Sequence, residues 1–222
     1  MNKVIITGAT GGVGSSLTRH FLKKKWEVIA LIRDKNKLSK SYYDNLKYIE
    51  IDIKNFESVQ KAFSKIDNIN LLINNASVFI SKEFKNCDEA DINNIIDTNL
   101  KGTMYCTLEA LKVMKKGRII NIGSVSGLHG IENQSIYSAS KFGLMGFSDS
   151  LSQEITRKNI LISNICPGGI NTPLWNENNK YPGNVNNIIQ PDDITKCVEF
   201  IYNLPDNMVL KNITTFPKCE WH

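Results

Sequence analysis

Tyr137 and Lys141 stand four residues apart in one run, and Ser124 lies thirteen residues upstream of the tyrosine. A phenol, an ammonium and a hydroxyl make a proton-transfer set when the chain brings them together. Residues at i and i+4 share one face of a helix. A free phenol has a pKa of roughly 10, too high for ready exchange near neutrality. The charge of Lys141 is expected to stabilise the phenolate and lower that value. Ser124 is expected to hold and polarise a substrate oxygen. Each residue also has a plainer use: Tyr137 and Lys141 as surface neighbours, Ser124 as a cap after a strand.

A second chemical signal sits near the start. Thr7-Gly8-Ala9-Thr10-Gly11-Gly12-Val13-Gly14 follows a β-branched run and opens a helical pattern. Glycines at such a turn let the backbone approach a pyrophosphate, and the helix N-terminus supplies amides and partial positive charge.

The elements that must position these residues follow from periodicity. Apolar strands are expected at 3–7, 27–32, 46–51, 70–74, 118–122, 160–165 and 208–214. Helical spacing falls at 13–25, 56–66, 92–114, 135–157 and 192–203. Short strands that are apolar on both faces and alternate with helices call for a buried parallel sheet. Right-handed crossovers then give an α/β, Rossmann-like doubly wound sheet of about seven strands with helices on both faces. In such sheets ligands bind beyond the carboxyl ends of the strands, where Asn75, Ser124 and Pro167 fall. Residues 1–222 are read as a single catalytic domain, with 173–190 as its substrate loop. The stretch 176–187 is rich in asparagine, so a mobile surface loop is expected there.

Composition narrows the function classes. The 222 residues are 41% hydrophobic and 22% charged, with a net charge of +5, as in a soluble globular protein. No basic stripe with interleaved aromatics suggests nucleic acid. The densest basic run, Lys23 to Lys25, suits a helix C-terminus. No apolar run could span a bilayer, and Met1 to Gly8 reads as a strand entering a turn, not as a signal peptide. Cys87, Cys106, Cys166, Cys197 and Cys219 are scattered, apart from His20, His129 and His222. No metal site is expected, and reduced cytoplasmic thiols are.

Together these residues resemble the short-chain dehydrogenase/reductase family. Gly8, Gly12 and Gly14 fit the spacing of its compact single-domain branch, and Gly8, Gly11 and Gly14 that of its longer nucleotide-sugar branch. The chain length favours the compact branch. Asn74-Asn75-Ala76 matches the family's N-N-A-G, with Ser77 in place of the glycine. Ser124, Tyr137 and Lys141 match its catalytic residues in order and spacing, and Asn99 its catalytic asparagine. In the family this asparagine keeps a helix kinked and a water placed for proton relay, and the lysine also bonds the nicotinamide ribose. Asp52 and Ile53 fall where the family holds adenine. Pro167, Gly168, Ile170 and Thr172 fall in the loop that closes over the nicotinamide. The resemblance implies a carbonyl reductase or alcohol dehydrogenase, working on a small molecule as a homodimer or homotetramer. The glycine loop from Gly8 through Thr10, Gly11, Gly12 and Val13 to Gly14, with Asn75 and Ala76, would hold the dinucleotide. Helices 92–114 and 135–157 would pair between subunits, the second carrying Ala139, Gly143 and Gly146. A nucleotide-binding relative without catalysis, or a nucleotide-sugar epimerase, are the other readings; the intact catalytic set and the length count against them.

The resemblance also frames the choice of cofactor. Ile32 stands where NAD enzymes of the family carry an acid, and Arg33 follows where NADP enzymes carry a base. Arginine grips a phosphate through two hydrogen bonds, so NADP(H) is expected. Asp34 keeps NAD(H) open, since a shift of two residues would let it reach the ribose. Substrate choice falls to the segment after Thr172, with Leu174, Trp175 and Tyr181. Trp175 and Tyr181 could close over an apolar substrate or pack on the protein. Eighteen residues separate Thr172 from Pro191, short for the family, which suggests an open site or one ordered on binding. The chain lacks the glycine pair after the last strand that marks many fatty-acid reductases of the family.

Overall fold

Alternate residues of the strands enter two separate cores, one on each face of a single sheet. Val4, Ile6, Val28, Ala30, Ile32, Leu71 and Ile73 enter one. Ile5, Ile29, Leu31, Leu72 and Ile119 enter the other. This is the period of two of strands buried on both faces. The computed structural model describes residues 1–35, 43–177 and 179–220. Asn178 of the substrate loop and His222 therefore lie outside the described residues.

The strands are β1 (Lys3–Thr7), β2 (Glu27–Ile32), β3 (Leu46–Glu50), β4 (Leu71–Asn74), β5 (Gly117–Ile122), β6 (Ile160–Pro167) and β7 (Asn212–Thr215). All pair in parallel, in the order β3-β2-β1-β4-β5-β6-β7. The order reverses between β1 and β4, the switch point where doubly wound sheets bind ligands. The helices are α1 (Gly12–Lys23), α2 (Phe56–Phe63), α3 (Glu89–Ile96), α4 (Gly102–Val113), α5 (Ser135–Ile155) and α6 (Pro191–Tyr202). Helices α1 and α6 seal the first core through Leu17, Phe21, Ile194 and Val198. Helices α2, α4 and α5 seal the second through Val59, Phe63, Cys106, Ala110 and Ile155.

Two elements differ most from the periodic reading. The strand expected from Met208 begins only at Asn212. The buried Arg118 accounts for this: its guanidinium donates to the carbonyls of Leu204, Pro205 and Met208 at 2.8, 2.9 and 3.1 Å. Those carbonyls face a cation instead of a neighbouring strand. The helix expected over 92–114 starts earlier, at Glu89, where the Asp88 carboxylate accepts from the Asp91 N–H at 2.8 Å. It is then interrupted by a π-helical turn, Asp97–Lys101, which contains Asn99. Such turns insert a residue into the helical register and turn its side chain aside.

A row of amides, buried at Asn74, Asn121 and Asn164 and exposed at Asn212, ties β4 to β7. Asn74, Asn121, Asn164 and Asn212 are successive partners across the four strands. Their side chains link at 2.8, 3.1 and 2.9 Å. A slip of one residue in any of these strands would leave buried amides without partners, so the row holds the register. It lies just before the strand ends that carry the site.

Candidate active site

The carboxyl ends of β4, β5 and β6 and the start of α5 surround a cavity of about 690 Å³. Ser124 follows β5, where its Oγ accepts from the Ser126 N–H at 3.1 Å. Tyr137 and Lys141 enter from α5, on one face as the spacing requires. All three line the cavity and all are buried. Asn99 does not line it. Its buried amide lies behind Tyr137, donating to the Val78 carbonyl at 2.9 Å and to Ser140 Oγ at 3.2 Å. Ser140 Oγ in turn donates to the Tyr137 carbonyl at 2.7 Å. Asn99 thus connects the segment after β4 to the first turn of α5.

The electrostatics depart from expectation. Lys141 Nζ sits 5.5 Å from the centre of the Tyr137 ring and donates to the Ile122 carbonyl at 3.0 Å. Burial pushes the Tyr137 phenol above its ordinary value, against hydrogen bonds from Ser124 and Ser77 that favour the phenolate. Burial also pulls Lys141 down to about 8. Loss of water disfavours the charged form of both groups. The expected lowering of the phenol pKa is therefore not found; Tyr137 is a neutral phenol at neutral pH.

The glycine loop runs from β1 into α1. Gly8 has φ +63°, and a Cβ on Gly14 would lie 2.2 Å from the Gly8 carbonyl oxygen. Asn75 braces this turn, donating from Nδ2 to the carbonyls of Thr7 and Gly8 at 3.0 and 3.1 Å. Thr7 Oγ1 accepts from the N–H groups of Asn75 and Ala76 at 2.9 and 3.0 Å. Gly11 caps α1 without a side chain, and the first turn carries no acid. Its unpaired amides form a cradle that suits an anionic phosphate. Thr10 and Gly11 are exposed at this cradle, while Val13 reaches the cavity wall. Thr172 packs on Gly12, where a Cβ would meet its Cγ2 at 2.7 Å. Pro167, Gly168, Ile170 and Thr172 line the cavity beyond β6.

Arg33, Asp52 and Ile53 do not line it. Arg33 is exposed just past β2. Strand β3 stops at Glu50, so Asp52 lies in the loop after it and not at the strand end, its carboxylate accepting from the Lys54 N–H at 3.0 Å. Ile53 packs against Gly102 at the start of α4. The glycines of α5 also divide: a Cβ on Gly143 would meet Leu100 at 2.8 Å, whereas Gly146 faces open space.

The substrate loop packs onto distant parts of the chain in this structure. Trp175 donates from Nε1 to the Ile170 carbonyl at 2.9 Å and stands edge-on between Phe79 and Tyr181, at 5.3 and 5.1 Å. Phe79 contacts the Tyr137 ring at 5.0 Å, so an aromatic chain runs from the loop to the candidate acid. Tyr181 donates to Glu220 at 2.7 Å, and Glu220 also accepts from the Gly169 N–H at 3.0 Å. Asn179 accepts from the Ser81 N–H at 2.8 Å. The asparagines supply turn contacts while the aromatics supply packing, so the segment folds across the cavity. Sequence reading missed Phe79, Ser140 and Glu220; only Phe79 carried a signal, as an aromatic just beyond a strand's carboxyl end.

A second crevice, of about 820 Å³, lies along β1 to β3. Most of its charges pair with each other, Lys3 with Glu27 and Asp67, Lys47 with Glu27, and Lys35 with Glu50. Among the described residues no cluster of three or more metal-ligating side chains occurs, and no helix is long and apolar enough to cross a membrane.

Comparison with known proteins agrees with this geometry. The family model for short chain dehydrogenase matches residues 2–182. An acetoacetyl-CoA reductase from Acinetobacter sp. is 35% identical over 185 residues, covering 77% of this chain and 75% of the relative. Among solved structures, the closed form of a serine dehydrogenase complexed with NADP+ superposes with a TM-score of 0.90 at 26% identity, over 99% of this chain and 96% of that one. A 4-hydroxyisoleucine dehydrogenase complexed with NADH gives 0.87 at 28% identity, over 98% of both chains. The chain belongs to the short chain dehydrogenase family, and it is an oxidoreductase of carbonyl and alcohol groups.

Proposed function

We propose that the protein is an NADP(H)-dependent reductase of small carbonyl compounds, with Tyr137 as proton donor, and that 3-oxoacyl thioesters are its leading substrate class. The observation that carries this reading is the buried, neutral phenol of Tyr137 on the cavity wall, flanked by Ser124 and Lys141. A phenol that keeps its proton at neutral pH suits reduction, where the enzyme must give one up. When bound, the nicotinamide supplies the hydride. Tyr137 gives its proton to the carbonyl oxygen, and Ser124 holds that oxygen in place by a hydrogen bond. Lys141, anchored to Ile122, is placed to bind a hydroxyl of the cofactor's ribose. Asn99 positions Tyr137 through Ser140.

The amide cradle in the first turn of α1, from Gly12 to Gly14, fits the pyrophosphate, with Asn75 and Ala76 bracing the turn before it. Arg33, exposed past β2, would bind a 2′-phosphate, a reading supported by a solved neighbour that holds NADP+. The neighbour with NADH makes NAD(H) the alternative to test beside it. Phe79, Leu174 and Trp175 give the cavity an apolar wall suited to a short acyl chain, and the Acinetobacter relative acts on such a thioester. The test is oxidation of NADPH and NADH against 3-oxoacyl thioesters, steroids, sugars, pterins and small diketones, with 3-hydroxy amino acids in the reverse direction. NADPH-dependent turnover of a 3-oxoacyl thioester is expected. Turnover confined to another class would reassign the substrate, and tighter use of NADH would overturn the role of Arg33.

A further inference from the structure

Gln134 stands one turn before Tyr137, at the N-cap of α5, yet its side chain caps nothing. Its Oε1 instead accepts from the Ser126 hydroxyl at 3.0 Å. Both residues line the cavity with Ser124 and Tyr137. Ser126 is buried and Gln134 half-buried. The same serine donates its N–H to Ser124 Oγ at 3.1 Å. Ser126 thus ties Gln134 to the hydroxyl that is to hold the reacting oxygen. A carboxamide offers one acceptor oxygen and an NH2 group with two donors. With the oxygen taken by Ser126, the NH2 group is the end left for the cavity.

We propose that the Gln134 NH2 group selects the substrate by donating to a second carbonyl oxygen, one methylene removed from the carbonyl that is reduced. Ser126 is its positioning residue. The inference deepens the substrate reading above and rests on Ser124 and Tyr137 meeting the reacting oxygen. A 3-oxoacyl thioester and a β-diketone both carry the second oxygen, and a simple ketone does not. Gln134 lies beside both groups that meet the first oxygen, bonded to Ser126 on one side and a turn from Tyr137 on the other. A substrate without the second oxygen takes water from the amide and gives no acceptor in return. The site therefore discriminates against it by more than the shape of the cavity would.

The test is the ratio of kcat/KM between a substrate with the second carbonyl and its analogue with a methylene in that place. The pairs are S-acetoacetyl-N-acetylcysteamine with its thioether analogue, and acetylacetone with methyl propyl ketone. Each ratio is measured for wild type, Gln134→Leu, Gln134→Glu and Ser126→Ala, with folding checked by circular dichroism. The ratio of variant to wild type cancels both the intrinsic reactivity of each substrate and any general loss of activity. One neutral hydrogen bond sets the scale, so Gln134→Leu should lower the ratio about tenfold. Gln134→Glu keeps the length and the acceptor for Ser126 but has no donor, and should lower it at least as far; it carries the test if leucine does not fold. Ser126→Ala frees the amide to turn over and should lower the ratio by a smaller factor. A folded Gln134 variant with wild-type ratios overturns the proposal and leaves the substrate class standing. A wild-type ratio in Ser126→Ala overturns the positioning role. If wild type reduces the diketone but not the thioester, the thioester reading fails and the diketone pair alone upholds or overturns Gln134. If wild type reduces neither, both readings fall.

Discussion

Lys141 donates to the carbonyl of Ile122 while its ammonium lies 5.5 Å from the centre of the Tyr137 ring. The cation is thus held at the end of β5, beside the phenol and not bonded to it. Its charge is kept in a place that disfavours it, which is a stability statement as well as a catalytic one.

Replacing Lys141 with methionine should make the effect measurable. The folded pKa of about 8 lies below the roughly 10.4 of free lysine. Between those values the unfolded chain binds more protons than the fold, so wild-type stability rises with pH across that window. The stabilisation of Lys141→Met over wild type should be largest below about pH 8 and shrink toward pH 10. Thermal unfolding of both proteins across that range checks this; a difference that grows with pH contradicts it.

Two glycines should respond oppositely to alanine. In Gly14→Ala the new methyl meets the Gly8 carbonyl, the Asn75 amide and Ala9, all inside the braced turn. Stability should fall by about 1–3 kcal/mol, and dinucleotide binding should weaken. Gly146 faces open space within helix α5. Gly146→Ala should stabilise by up to about 1 kcal/mol and leave binding unchanged. Denaturant unfolding and cofactor titration report both.

Removing the Arg33 guanidinium should lower affinity for NADPH selectively. A charged hydrogen bond to phosphate carries about 1.5–3 kcal/mol, so Arg33→Ala should raise the Kd for NADPH by about ten- to a hundredfold. The Kd for NADH should change by less than about twofold, since it lacks the phosphate. Equal weakening of both would remove Arg33 from the cofactor argument.

Trp175→Ala should open the aromatic chain between Phe79 and Tyr181. Aromatic pairs contribute about 0.5–1.5 kcal/mol beyond burial, so KM for the carbonyl substrate should rise by about tenfold. Cofactor affinity should be unchanged. Steady-state kinetics with saturating cofactor separate the two.

Much of this arrangement is legible in the sequence because it is local. The spacing of Tyr137 and Lys141 fixes their common face on α5, and the apolar strands fix a sheet buried on both sides. What is not legible depends on partners distant in the chain. Arg118 delays the start of the expected last strand by binding carbonyls some ninety residues on. The π turn at Asn99 departs from the 3.6-residue period by which helices are recognised. The asparagines of the substrate loop announce only turns, while its aromatics meet Phe79 and Glu220, each far away in sequence. The directions of the Tyr137 and Lys141 shifts were not legible for a related reason: both follow from burial, which no spacing reveals.

The central claim is that Tyr137 gives up the proton. Tyr137→Phe removes one hydroxyl and leaves the ring in contact with Phe79, so the fold and the cavity wall should persist. The measurement is single-turnover NADPH oxidation with a carbonyl substrate that wild type reduces, beside cofactor binding to the same protein. The account predicts intact binding and a rate at least about a hundredfold below wild type, the scale of a lost general acid. Intact binding with an unchanged rate would contradict it.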